Sequence, residues 1–227
     1  MGDKNLQSKK KGGGSMKEIH FSYSSLNDLI TCPHSWLNRM MGKKKPWVEA
    51  FRKGKEGHRI IQDHVAGIKK DPRIEYLTEV FPIVETVDFD PNCKFELRIR
   101  GYSFIGFLDL QDPANKRYGE IKLSSNPWSL GKYKDSIQRK IYAMAYPQYE
   151  RGILITGTLN PDEWKHTKLK VMEMALTEKD RKEAMEWINK GLDIFEEGDF
   201  NGGLDPETGR CADSRCPYGQ NCHFRSF

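Results

Sequence analysis

The sequence contains no long run of apolar residues. The stretch from Gly152 to Leu159 is among the longest, well short of the ~20 residues that a membrane-spanning helix needs. The N-terminus also lacks the apolar segment of a secretory signal. We therefore expect an intracellular, cytoplasmic protein that does not associate with membranes.

Cysteine is scarce and unevenly placed. The chain has 5 cysteines in 227 residues, and an odd number in a chain of this size argues against a disulfide framework. Cys211, Cys216 and Cys222 lie close together near the C-terminus, which is typical of metal ligation. Cys32 is a fourth candidate from far upstream, and Cys93 lies in a predicted turn with no obvious role.

Net charge is also low once the first residues are set aside. The formal charge is +5, but residues 1–15 contain four lysines and one aspartate and end in Gly-Gly-Gly-Ser before Met16. This segment is typical of an expression tag and linker. The rest of the chain carries only about +2, so any argument for nucleic-acid binding must rest on local clusters.

Hydrophobic periodicity and turn residues predict an α/β protein with the element order ααββββαββα. Ser24 or Ser25 offers the first helix cap, and Thr177 with Asp180 offers a capping box for the last helix. The main predicted helices are 47–65, 131–146 and 177–197, and the predicted strands are 81–87, 94–100, 102–111, 118–123, 152–159 and 167–174. We expect one domain over residues 16–200, followed by a Cys-rich segment at 201–227.

Two of the predicted strands carry a carboxylate–lysine group. Asp109 ends an apolar run that should be buried on both faces, and a lone acid there is costly unless it is paired or binds metal. The period of two places Glu120 and Lys122 on the same face of the next strand. If the strands form a hairpin, Asp109 and Glu120 can meet. Such a group suits metal-assisted phosphodiester hydrolysis, although an E-x-K pair is also common on solvated sheet edges.

Further motifs lie before and after this carboxylate–lysine group, and together they follow a recognisable order along the chain. Gly54 precedes His58 in a G-x-x-x-H pattern, Gly106 precedes Asp109, and Gln138 and Tyr142 are one helical turn apart. In this order, the motifs resemble the RecB-like nucleases of the PD-(D/E)xK superfamily. Residues 22–26, followed by Thr-Cys-Pro at 31–33, resemble the first helix of the iron–sulfur members: the CRISPR-associated RecB-like exonucleases, the AddB nuclease domain and exonuclease V.

This resemblance implies a restriction-endonuclease-like core, in which helices flank a mixed central sheet, with a Cys-rich lobe at the C-terminus. It also implies that Mg²⁺ or Mn²⁺ is bound by four groups: His58, Asp109, Glu120 and the backbone carbonyl of Ile121. Lys122 would be catalytic together with Asp109 and Glu120. Gln138 and Tyr142 would contact the DNA strand near the scissile phosphate. His64 is a rival to His58 as a ligand.

The cysteines fit the same resemblance, because the iron–sulfur members hold a [4Fe–4S] cluster with one early and three C-terminal cysteines. The implied ligands are Cys32, Cys211, Cys216 and Cys222. The interval between Cys211 and Cys216 departs from the usual family spacing. Four thiolates also suit zinc, and His34 or His223 could replace a cysteine in a zinc site.

Aromatic and basic residues follow the E-x-K strand. Trp128, Lys132, Tyr133 and Arg139 could contact DNA, since aromatic rings beside cations suit stacking on unpaired bases and contact with phosphates. Core packing is the alternative for Trp128.

The sequence therefore predicts a metal-dependent deoxyribonuclease, an exonuclease acting on single-stranded DNA or DNA ends. The resemblance implies a place near the nucleoid and protein partners in recombination, DNA repair or CRISPR adaptation. One alternative is a non-catalytic DNA-binding protein on the same fold. Another is a zinc-bound RNA-binding module, because residues 216–222 faintly resemble a CCCH finger.

Overall fold

A computed structural model gives the positions of residues 19–43, 49–81, 85–86 and 93–198. The predicted tag at 1–15 lies outside these described residues. So does the predicted Cys-rich segment at 201–227, with Cys211, Cys216, Cys222 and His223. The predictions made for these segments stay predictions.

The described chain begins with a short strand, β1 (His20–Phe21), and two consecutive helices, α1 (Tyr23–Thr31) and α2 (Pro33–Met40). The predicted cap at Ser24 or Ser25 is wrong. Ser22 caps α1, because its side chain accepts a hydrogen bond from the Ser25 backbone N–H. The Ser25 side chain in turn accepts one from the Ser22 backbone N–H. Cys32 separates the two helices, and Pro33 starts α2 because it needs no N–H partner at that position.

The remaining elements follow in a mixed order. They are α3 (Glu49–Val65), α4 (Leu77–Val80), β2 (Glu85–Thr86), β3 (Lys94–Ile99), β4 (Tyr102–Phe107), β5 (Leu110–Asp112), β6 (Arg117–Leu123), α5 (Leu130–Lys134), α6 (Ile137–Ala145), β7 (Arg151–Gly157), β8 (Lys170–Ala175) and α7 (Glu178–Glu197). None of the helices in these described ranges is long and apolar enough to cross a membrane.

The described strands form two mixed sheets, which corrects the prediction of one central sheet. The first sheet has the order β1-β4-β3, with β1 parallel to β4, and the second has the order β2-β5-β6-β7-β8, with β6 parallel to β7. The α/β class is confirmed, and β5 and β6 form the expected antiparallel hairpin, with Leu110 opposite Gly119.

The chain passes from one sheet to the other at Leu108 and Asp109. The sequence predicts one strand over 102–111, but the structure ends β4 at Phe107 and starts β5 at Leu110. The strand is also not buried on both faces, because Phe107 is 52% exposed. The bend between the sheets leaves the Asp109 side chain free to turn towards β6.

The helices after the hairpin also differ in one place from the prediction. The predicted helix at 131–146 is broken, because Ser136 caps a new helix, α6, by accepting from the Arg139 backbone N–H. The last helix is confirmed: Thr177 and Asp180 form the capping box of α7. Gly198 ends it with a φ of 66°, in the left-handed region that favours glycine.

Buried apolar residues in the described ranges form two clusters, one on each sheet. The first packs α1, α2, α6 and α7 against the three-stranded sheet, and Ala184, Ile188 and Leu192 of α7 belong to it as the sequence predicts. The second packs α3 and α4 against the five-stranded sheet. The Asp109 bend and the end of β6 lie where the two packed layers meet.

Candidate active site

Glu120 and Lys122 lie on the same face of β6 and form an ion pair. The Lys122 Nζ is 2.6 Å from the Glu120 Oε1, while Ile121 and Leu123 point the other way and pack in the second cluster. Glu120 is fully buried. Among the described residues, no hydrogen-bond donor other than this lysine reaches either Glu120 oxygen.

Asp109 faces this pair from the bend between the sheets. Its Oδ2 accepts a hydrogen bond of 2.8 Å from the Ile121 backbone N–H, and its own carbonyl accepts one of 3.1 Å from the Gln62 side chain. The side chain is only partly buried. The Asp109 carboxylate, from the bend before β5, therefore lies close to the Glu120 carboxylate of β6, as the sequence predicts.

His58 approaches the same carboxylates from α3. Its Nδ1 lies 3.7 Å from the Asp109 Oδ1. The helix comes this close because Gly57 has no side chain: a Cβ there would lie 2.3 Å from Leu123 Cδ1. The structure therefore brings His58, Asp109 and Glu120 to adjoining positions on three elements.

The carboxylate oxygens and the imidazole of these three residues suit a hard divalent cation, although they are not arranged around one common position. In the part of the chain that the structure describes, no three histidine, cysteine or carboxylate side chains are grouped as ready ligands for a metal. The two Glu120 oxygens that lack a donor besides Lys122 are the feature that a cation would satisfy. The ligand role of the Ile121 carbonyl stays a prediction, while its N–H is held by Asp109.

The charged groups at this site shift one another's pKa values. Burial raises the pKa of the Glu120 carboxyl above its ordinary value, and the neighbouring ammonium offsets only part of this rise. For Lys122, burial lowers the pKa, but the Glu120 and Asp109 carboxylates raise it by more. The pKa of Lys122 therefore lies above its ordinary value, and the lysine is charged at neutral pH.

Gln138 and Tyr142 form a chain of hydrogen bonds that ends on Lys122. The Lys122 Nζ donates to the Gln138 Oε1 at 2.7 Å, and the Gln138 Nε2 donates to the Tyr142 hydroxyl at 2.6 Å. The Tyr142 hydroxyl in turn donates to the Phe107 carbonyl at 2.8 Å. These hydrogen bonds link the Lys122 ammonium to the backbone of β4 and so hold it in place. Tyr142 is buried, so it acts on the site through Gln138.

The predicted DNA contacts separate into two groups. Lys132 is exposed and Trp128 is partly exposed, both beside Lys122, and their DNA contacts stay predictions. Tyr133 and Arg139 are buried, which corrects the prediction that they face DNA. Arg139 instead pairs with Asp180 of α7, with its Nη1 3.1 Å from Oδ2.

The rival histidine contacts a different part of the chain. His64 is buried, and its Nδ1 accepts a hydrogen bond of 2.8 Å from the Asp71 backbone N–H. His64 therefore stabilises the segment that follows α3, whereas His58 lies beside Asp109.

Sequence reasoning missed two residues that support the site. Gln62 anchors the Asp109 backbone, and Thr156 of β7 bonds to the Lys122 carbonyl at 2.9 Å. Thr156 lies opposite Lys122 in the parallel register of β6 and β7. No local signal marks either residue, because each contact depends on how distant elements pair.

A cleft of about 740 Å³ opens on the α3 side of the site. His58, Gln62 and Asp109 line it together with the basic residues Lys55 and Arg59, and Phe51 and Leu159 supply apolar walls. A cleft with cationic and apolar walls next to carboxylates can admit a phosphate-bearing chain.

Comparisons with known proteins bear on the fold. No protein-family model matches the sequence, and no curated protein sequence matches it. Among solved structures, the chain is similar to SSO0001, with 16% identity and a TM-score of 0.51, over 80% of this chain and 79% of that one. At this identity the likeness shows a shared fold and nothing about activity.

Two other solved structures are similar at lower scores. One is a phage-related exonuclease from Haemophilus somnus 129PT, with 11% identity and a TM-score of 0.42, over 80% of this chain and 96% of that one. The other is LHK-Exo in complex with dAMP, with 16% identity and a TM-score of 0.43, over 78% of this chain and 88% of that one.

Proposed function

We propose that this chain is a metal-dependent nuclease that hydrolyses phosphodiester bonds in DNA. The observation that carries the proposal is the fully buried Glu120, whose oxygens meet no donor except Lys122 among the residues that the structure describes. A buried carboxylate of this kind costs free energy unless a cation completes it. Asp109 and His58 lie beside it, with a cleft at their side.

His58, Asp109 and Glu120 would hold the cation, with the Ile121 carbonyl as a further ligand. Carboxylate oxygens favour Mg²⁺ and Mn²⁺, and a bound cation supplies a water of lowered pKa and screens phosphate charge. Lys122 places its positive charge beside the carboxylates, where it can stabilise the negative charge that develops on the phosphoryl oxygens. Gln138 and Tyr142 hold that ammonium in place.

The finer features belong to the same proposal. The substrate is single-stranded DNA or DNA ends, the mode of action is exonucleolytic, and Lys132 contacts the strand. The setting is DNA repair, recombination or CRISPR adaptation, near the nucleoid. The contacts of the buried Glu120 and Lys122 have no role in a zinc-bound RNA-binding module.

An iron–sulfur cluster is also part of the proposal. Cys32 is buried at the joint of α1 and α2. On the next turn of α2, Trp36 packs against Phe195 of α7 at 5.6 Å between ring centroids. The last turns of α7 therefore pack against the helix that follows Cys32, which favours a [4Fe–4S] cluster shared by Cys32, Cys211, Cys216 and Cys222. Zinc is the alternative occupant.

The decisive experiment is cleavage of end-labelled linear single-stranded and double-stranded DNA, and of internally labelled circular DNA, with Mg²⁺ or Mn²⁺. We expect the linear substrates to be degraded and the circles to survive. Asp109→Asn, Glu120→Gln and Lys122→Met should each lower the rate by on the order of a hundredfold or more. Each variant should still bind DNA.

Glu96→Gln is the matched control, because Glu96 pairs with Lys94 and Arg98 on the edge strand β3 without a catalytic arrangement. Its cleavage rate should equal that of the wild type. A wild-type protein that binds DNA but never cleaves it would favour the non-catalytic alternative. Full activity in Glu120→Gln would contradict the site.

A further inference from the structure

Trp128 lies beside the Lys122 ammonium, which also contacts Glu120 and Gln138. The Lys122 Nζ is 5.5 Å from the centroid of the indole, and the Lys132 Nζ is 4.6 Å from the same ring. A cation this close to an indole is attracted by the ring's quadrupole, and indole is the strongest of the aromatic partners. One ring therefore contacts two cations, and one of these is the lysine of the proposed site.

The backbone of Trp128 is tied to the same lysine. The Trp128 N–H donates to the Thr156 hydroxyl at 2.9 Å, and that hydroxyl donates to the Lys122 carbonyl at 2.9 Å. Thr156 is fully buried on β7, directly opposite Lys122 in the strand register. A single buried hydroxyl thus fixes the distance between the tryptophan and the strand that carries the lysine.

These contacts bear on the sequence-based alternatives for Trp128. Core packing does not describe it, because the ring is partly exposed and belongs to neither buried cluster. Stacking on a DNA base would compete with two cations already against the indole. The ring is better placed to act on Lys122 than on the substrate.

We infer that Trp128 is a positioning residue that holds the Lys122 ammonium between Glu120 and Gln138, with Thr156 as the link that places the indole. This inference rests on the proposed nuclease function. The indole, the Glu120 carboxylate and the Gln138 amide enclose the ammonium, and the lysine reaches the reacting phosphate from a fixed direction. A lysine side chain without such contacts spreads over several rotamers, and misplacement by about an ångström is costly in rate.

The test separates this role from base stacking by comparing kcat with KM. Trp128→Leu keeps an apolar side chain and removes the π face, so kcat for DNA cleavage should fall on the order of tenfold while KM changes less than twofold. Trp128→Phe retains an aromatic face and should recover part of kcat. Thr156→Val should resemble Trp128→Leu, and Thr156→Ser, which keeps the hydroxyl, should resemble the wild type.

Trp187→Leu is the matched control. Trp187 is a partly buried tryptophan of α7 that packs against Tyr23, and its loss should leave kcat unchanged. DNA affinity should be measured for each variant without divalent metal, by fluorescence anisotropy. Affinity that falls in Trp128→Leu while kcat is kept would overturn the inference in favour of base stacking.

Two further outcomes keep the inference and the proposed function apart. A wild-type protein without cleavage activity defeats the proposed function. A wild type that cleaves, with Trp128→Leu and Thr156→Val both at its kcat, defeats the inference alone. Should Trp128→Leu fail to fold, the comparison of Trp128→Phe with Thr156→Val and Thr156→Ser decides the same question.

Discussion

Burial of the Glu120 carboxylate costs free energy, because the charged group loses its contacts with water. The side chain is fully buried, burial raises its pKa, and its partner Lys122 is the only donor near it among the described residues. Buried ion pairs contribute little net stability, because the desolvation of both charges offsets their attraction. The pair is therefore better explained by chemistry at the site than by stabilisation of the fold.

At the scale of single residues, the role of the Tyr142 hydroxyl can be tested by removing its oxygen atom. Tyr142→Phe keeps the buried ring but breaks the link between Gln138 and the Phe107 carbonyl. We expect a loss of about 1 kcal/mol in the free energy of unfolding and a fall in cleavage rate with DNA affinity unchanged, since the phenol does not reach solvent. Steady-state kinetics and denaturant unfolding would measure both effects.

Tyr149→Phe is a suitable control for that change. Its hydroxyl is also buried and bonds to the Gln111 side chain, away from the lysine. It should lower stability by a similar amount without reducing the cleavage rate beyond the folded fraction. Equal kinetic losses in both variants would show that Tyr142 has no particular role at the site.

At the scale of elements, α3 owes its position to Gly57. A Cβ there would lie 2.3 Å from Leu123 and 3.4 Å from the Trp164 ring, whereas a Cβ at Gly54 would meet only Leu159 at 3.7 Å, an ordinary contact. Either the Leu123 methyl, the end of a flexible side chain, must turn aside or α3 must move, so Gly57→Ala should lower stability by about 1 kcal/mol. Gly54→Ala should raise it by up to about 1 kcal/mol, as expected for alanine in a helix interior.

The same pair of variants tests the approach of His58. A displaced α3 moves His58 away from Asp109, so Gly57→Ala should need a higher metal concentration for half-maximal cleavage, and Gly54→Ala should not. Denaturant unfolding and a metal titration of cleavage provide the two measurements. A Gly57→Ala protein with unchanged stability and metal dependence would contradict the close packing of this helix.

Elements with local signals were predictable from the sequence, and elements set by distant pairing were not. The capping box and the glycine stop define α7 within its own residues, and the β5–β6 hairpin follows from a short turn between alternating strands. The break at Leu108 was missed because an apolar run looks like one continuous strand. It is a bend because the Asp109 side chain bonds to Ile121 on another strand.

In the candidate site too, residues placed by a local pattern could be predicted, and contacts between distant elements could not. Asp109, Glu120 and Lys122 could be predicted because strand periodicity and a hairpin bring them together. The burial of Arg139 could not, since its partner Asp180 lies on α7, 41 residues away. Arg139 looks like a basic residue on an exposed helix face until the packing of α6 against α7 is known.

For the whole molecule, the proposed cluster would join the two ends of the chain. A crosslink between Cys32 and the three C-terminal cysteines closes a loop of nearly the entire domain, which on the chain-entropy scale stabilises by up to about 5 kcal/mol. Cys32→Ser should therefore remove iron and visible colour and lower the melting temperature. Metal analysis and thermal unfolding under anaerobic conditions would measure this.

Cys93→Ala is the control, because Cys93 is buried beside Tyr146 and is not one of the proposed cluster ligands. It should keep both iron and colour. A wild-type protein that contains zinc and no iron would reject the iron–sulfur cluster while leaving the carboxylate–lysine site as it stands.

The bend at Asp109 also has a consequence for protein synthesis. Asp109 lies between the two sheets, β6 pairs with β7 on its far side, and the Gln138 helix is held by Arg139 to Asp180 on the last helix. In a nascent chain, the contact that holds α6 is therefore completed only after α7 has left the ribosome. Ribosome-bound or prematurely terminated chains would then have a less ordered site and cleave DNA more slowly.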